Sequence, residues 1–160
     1  TLFQARTTTE PMSAPASFII HDLQHAITAL KVAEQLDIPV ILVSAPGAAR
    51  TGGAGWWRAM ITQARAAVPA ATATTSILDC ADEPGTALAA IREGVEAIAI
   101  SVPDPGFERL VDIAGQSGVA ILPIAWDTAC DLAGSNDPQG DCENHLRKLS
   151  AGVAKPLALG

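Results

Sequence analysis

Asp79 and Cys80 are the sharpest pair of chemically capable residues in this chain. They close the short apolar run Thr74–Asp79, so they fall where a strand would end. A carboxylate there can take or give a proton. An adjacent thiol can act as nucleophile or metal ligand once ionised. The same two residues also suit a turn-capping Asp beside a buried Cys. The second candidate is the stretch from Ser44 to Gly55, which holds Gly47, Arg50, Gly52 and Gly53. Its glycines let backbone N–H groups approach a phosphate, and Arg50 adds charge. It lacks the Gly-Lys-Ser/Thr ending of a Walker A loop and is a poor GxGxxG, so an unliganded βα loop is the competing reading. His21 and His25 are one helical turn apart. That spacing can chelate zinc, but the Glu of HExxH is missing, and no metal ligand is assigned. His145 lies in a polar helical stretch and is expected to be exposed. Asp127, Asp131, Asn136 and Asp137 do not match an EF-hand loop. Of Trp56 and Trp57, one indole is expected to pack and the other to cover a helix face or an interface.

These residues need elements to position them. Six apolar runs stand out: Ser17–Ile20, Ile38–Ser44, Thr74–Asp79, Ala97–Val102, Val119–Ile124 and Val153–Leu159. Rich in Ile, Val, Leu and Ala with little alternation, they read as strands covered on both faces, as in a parallel sheet. Pro156 weakens the last of them. Helical spacing lies between the runs. Leu23, Ala26, Ile27, Leu30, Ala33 and Leu36 recur every three to four residues from Asp22 to Leu36. Further helices are expected over Trp56–Val68, Thr86–Glu93 and Phe107–Gln116, the last two entered through Pro84 and Pro105. Gly94 and Gly118 mark helix ends. Asp127–Asp141 reads as a flexible polar loop, followed by a short helix. The alternation predicts an α/β fold with a parallel (β/α) repeat. Either an incomplete TIM-barrel-like sheet of about six strands or an open doubly wound sheet satisfies it. Ligands in such folds collect at the carboxyl ends of strands. Those positions are His21 and Asp22, Ser44–Gly55, Asp79 and Cys80, Ser101–Asp104, and Trp126 with Asp127.

Composition narrows the function classes. The chain has 160 residues, of which 49% are hydrophobic and 17% charged, and its net charge is −7. One domain over 1–160 is expected, with a core large enough to stand without disulfides. The acidic balance argues against nucleic acid, which needs a basic surface. No apolar run reaches the 18 residues of a membrane span. Cys80, Cys130 and Cys142 form no CxxC pair, which speaks against a zinc knuckle. A Cys-poor chain with an odd count fits a reducing, cytoplasmic setting. The first residues lack the apolar core of a signal peptide.

In order, the motifs resemble the class II, metal-dependent fructose-bisphosphate and tagatose-bisphosphate aldolase family. Ile38–Gly53 (IPVILVSAPGAARTGG) is similar to the family's SPVILQVSPGARKYAGG, with one extra residue. Ser76–Ala81 (SILDCA) stands where LHLDHG would. Ser17–Gln24, Gly94–Val102, Gly118–Trp126 and Ala151–Gly160 resemble the first, fourth, fifth and sixth strand regions. The likeness is collinear over nearly the whole chain, and no single motif is intact. It implies a (β/α) barrel in which a divalent metal polarises a carbonyl and a carboxylate moves the hydroxyl proton. Asp79 matches that carboxylate. Cys80 stands at a metal-binding histidine, and Ile124 replaces a glutamate that approaches the metal. The resemblance therefore implies a degenerate site with no metal cage, and no cofactor is expected.

Three functions compete on this reading. The first is an aldolase-like protein without ordinary metal-dependent activity. It would hold a small phosphorylated ligand on Ser44, Gly47, Arg50, Gly52, Gly53, Ser101 and Asp104. The second is an enzyme: a carbon–carbon lyase acting on a sugar phosphate, or altered chemistry on Asp79 and Cys80. The third is an assembly protein, because a barrel of this type takes eight strands and about 250 residues. Six strands leave edges and an apolar interior to cover, so a homo-oligomer or a partner subunit is expected.

Overall fold

The computed structural model describes residues 15–71 and 73–153. Each apolar run seeds a strand, and each amphipathic stretch returns the chain over one face of the sheet. The strands are β1 (Ala16–Ile19), β2 (Val40–Val43), β3 (Thr74–Asp79), β4 (Ala97–Ala99), β5 (Ala120–Ile121) and β6 (Cys130–Asp131). The helices are α1 (Leu23–Leu36), α2 (Ala48–Thr51), α3 (Ala54–Ala67), α4 (Pro84–Glu93), α5 (Gly106–Gln116) and α6 (Pro138–Val153). All strand pairs are parallel, in the order β5-β4-β3-β2-β1-β6.

Local chemistry sets the helix limits. Asp22 caps α1 by accepting the His25 N–H at 2.8 Å. Pro84 occupies the first turn of α4, and Gly94 ends that helix at φ 78°. Helices α5, α4, α3, α1 and α6 touch side by side in the order of their strands. They therefore form one layer, and the sheet is singly rather than doubly wound. The main core lies between that layer and the sheet, with Phe18, Leu42, Leu78 and Ile98 from the strands meeting Leu30, Trp57, Ile91 and Leu146 from the helices.

The opposite face carries Ile77, Ala97 and Ala99, packed against Ile41, Leu122 and Ile124. Leu122 and Ile124 belong to the connection from β5 to β6, which joins the two outer strands. Across a flat sheet those strands would lie about 24 Å apart, at about 4.8 Å per gap. The connecting residues 122–129 would need to run largely extended to span that, at about 3.3–3.6 Å per residue. Instead they turn, the Thr128 N–H bonding Ala125 O at 3.2 Å. The sheet consequently curls, drawing its edges together as in an incomplete barrel. Val43 is fully buried on this helix-free side.

Several expectations change. β4 and β5 are shorter than Ala97–Val102 and Val119–Ile124, because their last residues leave the ladder to line the carboxyl end. The polar stretch Asp127–Asp141 is not simply a loop. It contains β6, whose Cys130 and Asp131 pair with Phe18 and Ile19, and the first turn of α6. Val153, expected to open a sixth strand, is the last residue of α6. The rest of that expected strand lies outside the described residues. α2 was not foreseen.

Candidate functional site

The carboxyl ends of β3, β4 and β5 surround a cavity of about 660 Å³. Asp79 ends β3 on the concave side, and Ala99, Ile100 and Ser101 follow down β4. Ile121, Leu122 and Ile124 come from β5 and its exit, Phe107 from the start of α5, and Pro46 from the loop after β2. Trp126 stands at the rim, 38% exposed.

Asp79 is only 8% exposed. Two elements fix it. Its backbone N–H donates to Ser44 Oγ at 2.9 Å, and the Gly47 N–H donates to its Oδ2 at 2.7 Å. Ser44, itself buried, donates its hydroxyl hydrogen bond to Ala45 O at 3.1 Å. Gly47 adopts φ 68°, a left-handed conformation that glycine takes without strain, and this aims its N–H at the carboxylate. The loop after β2 thus serves the strand end of β3.

The remaining expected ligand-binding residues separate. Arg50 is mostly exposed and pairs with Glu83 at 3.1 Å. Gly52 lies beside the Trp56 ring, and Gly53 at φ 81° makes the break before α3. The only helix that this glycine-rich loop opens directly at Gly47 is the four-residue α2, and the Gly47 N–H is already taken by Asp79. Ser101 lines the cavity at an exposed position. Asp104 is exposed and precedes the cis Asp104–Pro105 peptide. Of the residues expected to act on or bind a ligand, Asp79 and Ser101 alone reach the cavity, with Ser44 and Gly47 supporting Asp79.

Cys80 points the other way, into the core beneath the helices. It is 2% exposed, and its thiol faces Leu78 O at 3.9 Å. Burial, with the nearby carboxylates of Asp79 and Glu83, pushes its pKa up to about 12. A nucleophile needs the thiolate and an open approach, and the described geometry offers Cys80 neither. The same facts decide the zinc that the aldolase resemblance implies. Among the described residues, no group of three His, Cys, Asp or Glu side chains could hold a metal ion. The residues present do not fit such a centre.

The histidines form a separate cluster at the carboxyl ends of β1 and β6. His21 Nε2 lies 2.6 Å from Asp131 Oδ1, and the His21 backbone N–H donates to His25 Nδ1 at 3.2 Å. Burial nudges the Asp131 carboxyl upward, but the Ala133 N–H and His21 outweigh it and hold its pKa below the usual value. These bonds fasten β6 to the edge of β1. His145 is not simply exposed. Its ring meets Phe18 edge-on at 5.2 Å between centroids, and its Nε2 is buried without a partner among the described residues. Trp57 packs at 1% exposure while Trp56 stays 43% exposed, as their adjacency in one helix requires.

Sequence reasoning found the strand ends but missed the aromatic and aliphatic wall. Trp126 stood at an expected strand end. Nothing in the spacing of Phe107 and Leu122 set them apart, and Ile124 stood out only through the resemblance, at the place of a glutamate. No known family model matches this sequence, and no curated protein matches it.

Proposed function

We propose that the chain binds a small organic molecule at the carboxyl ends of β3–β5, on a scaffold resembling that of the class II aldolases, without metal-dependent aldol cleavage. The observation that carries this reading is the cavity of about 660 Å³, whose only charged wall group among the described residues is the well-buried Asp79. A mostly apolar concavity with a few fixed polar groups is the usual form of a small-molecule site. The phosphorylated ligand suggested by the glycine-rich loop is less well supported. Arg50 is engaged by Glu83 and lies outside the lining, and the Gly47 N–H is spent on Asp79. A thermal-shift screen of small organic molecules, sugar phosphates included, tests the reading. Ligands that raise the melting temperature of the wild type but not of an Ile124→Trp variant, whose cavity is filled, support it. No shift from any compound would count against it.

A second reading keeps Asp79 as a proton-transferring group of a carbon–carbon lyase. Its favouring observation is that one edge of this carboxylate faces a cavity large enough for a small substrate. The purified chain, assayed on fructose 1,6-bisphosphate with and without added zinc, is expected to show no turnover. Cleavage that disappears in Asp79→Asn would reinstate the lyase. Self-association belongs to the same proposal, because β5 leaves a short open edge beside the exposed Val111 and Ile113 of α5. Light scattering over a concentration series reads it directly.

A further inference from the structure

The cavity is unbalanced in charge. Asp79 places a carboxylate in its wall at 8% exposure, answered by one neutral donor, the Gly47 N–H on Oδ2. Its Oδ1 receives no hydrogen bond from any described residue, and it is not sealed from the cavity. Among the described residues, no Lys, Arg or His lines the cavity. Apart from Ser101, the other side chains in the wall are apolar, with Phe107 and Trp126 contributing aromatic rings. A carboxylate removed from water gains most from a charged donor, whose bonds are roughly twice as strong as neutral ones. Aromatic faces attract cations as well. An anion would instead meet like charge in a poorly screened site with nothing opposite in sign to receive it.

We propose that this cavity is selective for organic ammonium ions: a primary or secondary amine whose N–H groups bond Asp79 and whose apolar body lies against Trp126, Phe107 and Leu122. The proposal rests on the cavity being a small-molecule site and adds the charge class of its ligand. Phosphate esters and carboxylates are the ligands it excludes.

Four probes of matched size test it on the intact chain: 3-phenylpropylamine, 3-phenylpropan-1-ol, 3-phenylpropanoate and phenyl phosphate. Affinities come from calorimetry at neutral pH. The Trp126 indole N–H resonance, assigned by its loss in Trp126→Phe, reports where the probe sits. The amine is expected to bind at least about tenfold more tightly than the alcohol, as a charge-assisted bond to a desolvated carboxylate would give, and to shift the Trp126 signal. The two anions should bind more weakly than either. Asp79→Asn should erase the preference for amine over alcohol. Trp126→Ala, at an exposed position, should weaken the amine severalfold with no change in melting temperature. If Asp79→Asn does not fold, the order of the four probes and the Trp126 variant decide alone. Equal binding of amine and alcohol, or tightest binding of an anion, would overturn the ammonium assignment and leave the cavity reading standing. Binding by none of the four would overturn both.

Discussion

Ser44 shows how a residue can belong to a site without touching a ligand. Its hydroxyl accepts the Asp79 N–H and donates to Ala45 O, joining the end of β2 to the end of β3. Ser44→Ala would strand the Asp79 N–H, which lies in a buried position. An unsatisfied buried donor costs about 1–3 kcal/mol, and urea denaturation should show a loss of that size. Ser44→Thr, which keeps the hydroxyl, should recover most of it. Cys80 supplies the contrasting case, a reactive residue type made inert by its surroundings. A thiol pushed up to about 12 is ionised in roughly one molecule in ten thousand at pH 8. Cys142 is pushed up equally by burial, and Cys130 is raised as well but is only partly buried. Iodoacetamide at pH 8 should therefore modify Cys130 first and leave Cys80 and Cys142 unmodified until the chain is unfolded. Peptide mass spectrometry reads the order. Early modification of Cys80 would restore it as a nucleophile.

At the scale of elements, α6 carries a pH-dependent contact. Its His145 packs edge-on against Phe18 of β1. Burial, with Lys148 nearby, lowers the ring's pKa below its ordinary 6.5, and a backbone hydrogen bond with Ser17 only partly opposes this. The folded state thus favours the neutral ring. This contribution to stability is complete above about pH 6.5 and is lost as the pH falls through the lower folded value. The melting temperature should drop between pH 7.5 and pH 5. The drop should shrink in His145→Gln. Elements also differ in how much of them the sequence revealed. β3 was legible to the residue, since Thr74, Thr75, Ile77 and Leu78 suit a strand and Asp79 closes it. The entry at Pro84 and the end at Gly94 were equally plain, because capping is local chemistry. β6 was not. Cys130 and Asp131 have no strand-forming pattern and become a strand only by docking on Phe18 and Ile19. The buried ring of His145 was hidden for the same reason: a polar helix shows its contact face only when its partner is known. Asp79 was legible as a strand-end carboxylate, whereas its apolar wall depends on how the sheet curls.

At the scale of the whole molecule, six short strands present a concave face that an eight-stranded barrel would fill from its far side. Here the chain covers part of that face itself. Leu122 and Ile124 leave β5 and settle against Ile41, Ile77, Ala97 and Ala99 before the connection reaches β6. This segment performs two tasks: it closes the concave core below and forms one wall of the cavity above. The need for a partner subunit is correspondingly smaller than strand number alone implies. Replacing both side chains by Ser should separate the tasks from the rest of the fold. Each is partly buried, so its removal from the cluster should cost about 1–2 kcal/mol, and the helix-side core should persist. The double variant should keep its far-ultraviolet circular dichroism, melt at lower temperature, and bind the apolar dye ANS. Its uncovered Ile77, Ala97 and Ala99 should also drive association, seen in light scattering as a larger species than the wild type at equal concentration. If ANS binding and mass stay unchanged, the β5–β6 connection is not what closes this face, and a second chain seated there becomes the better account of how the sheet avoids water.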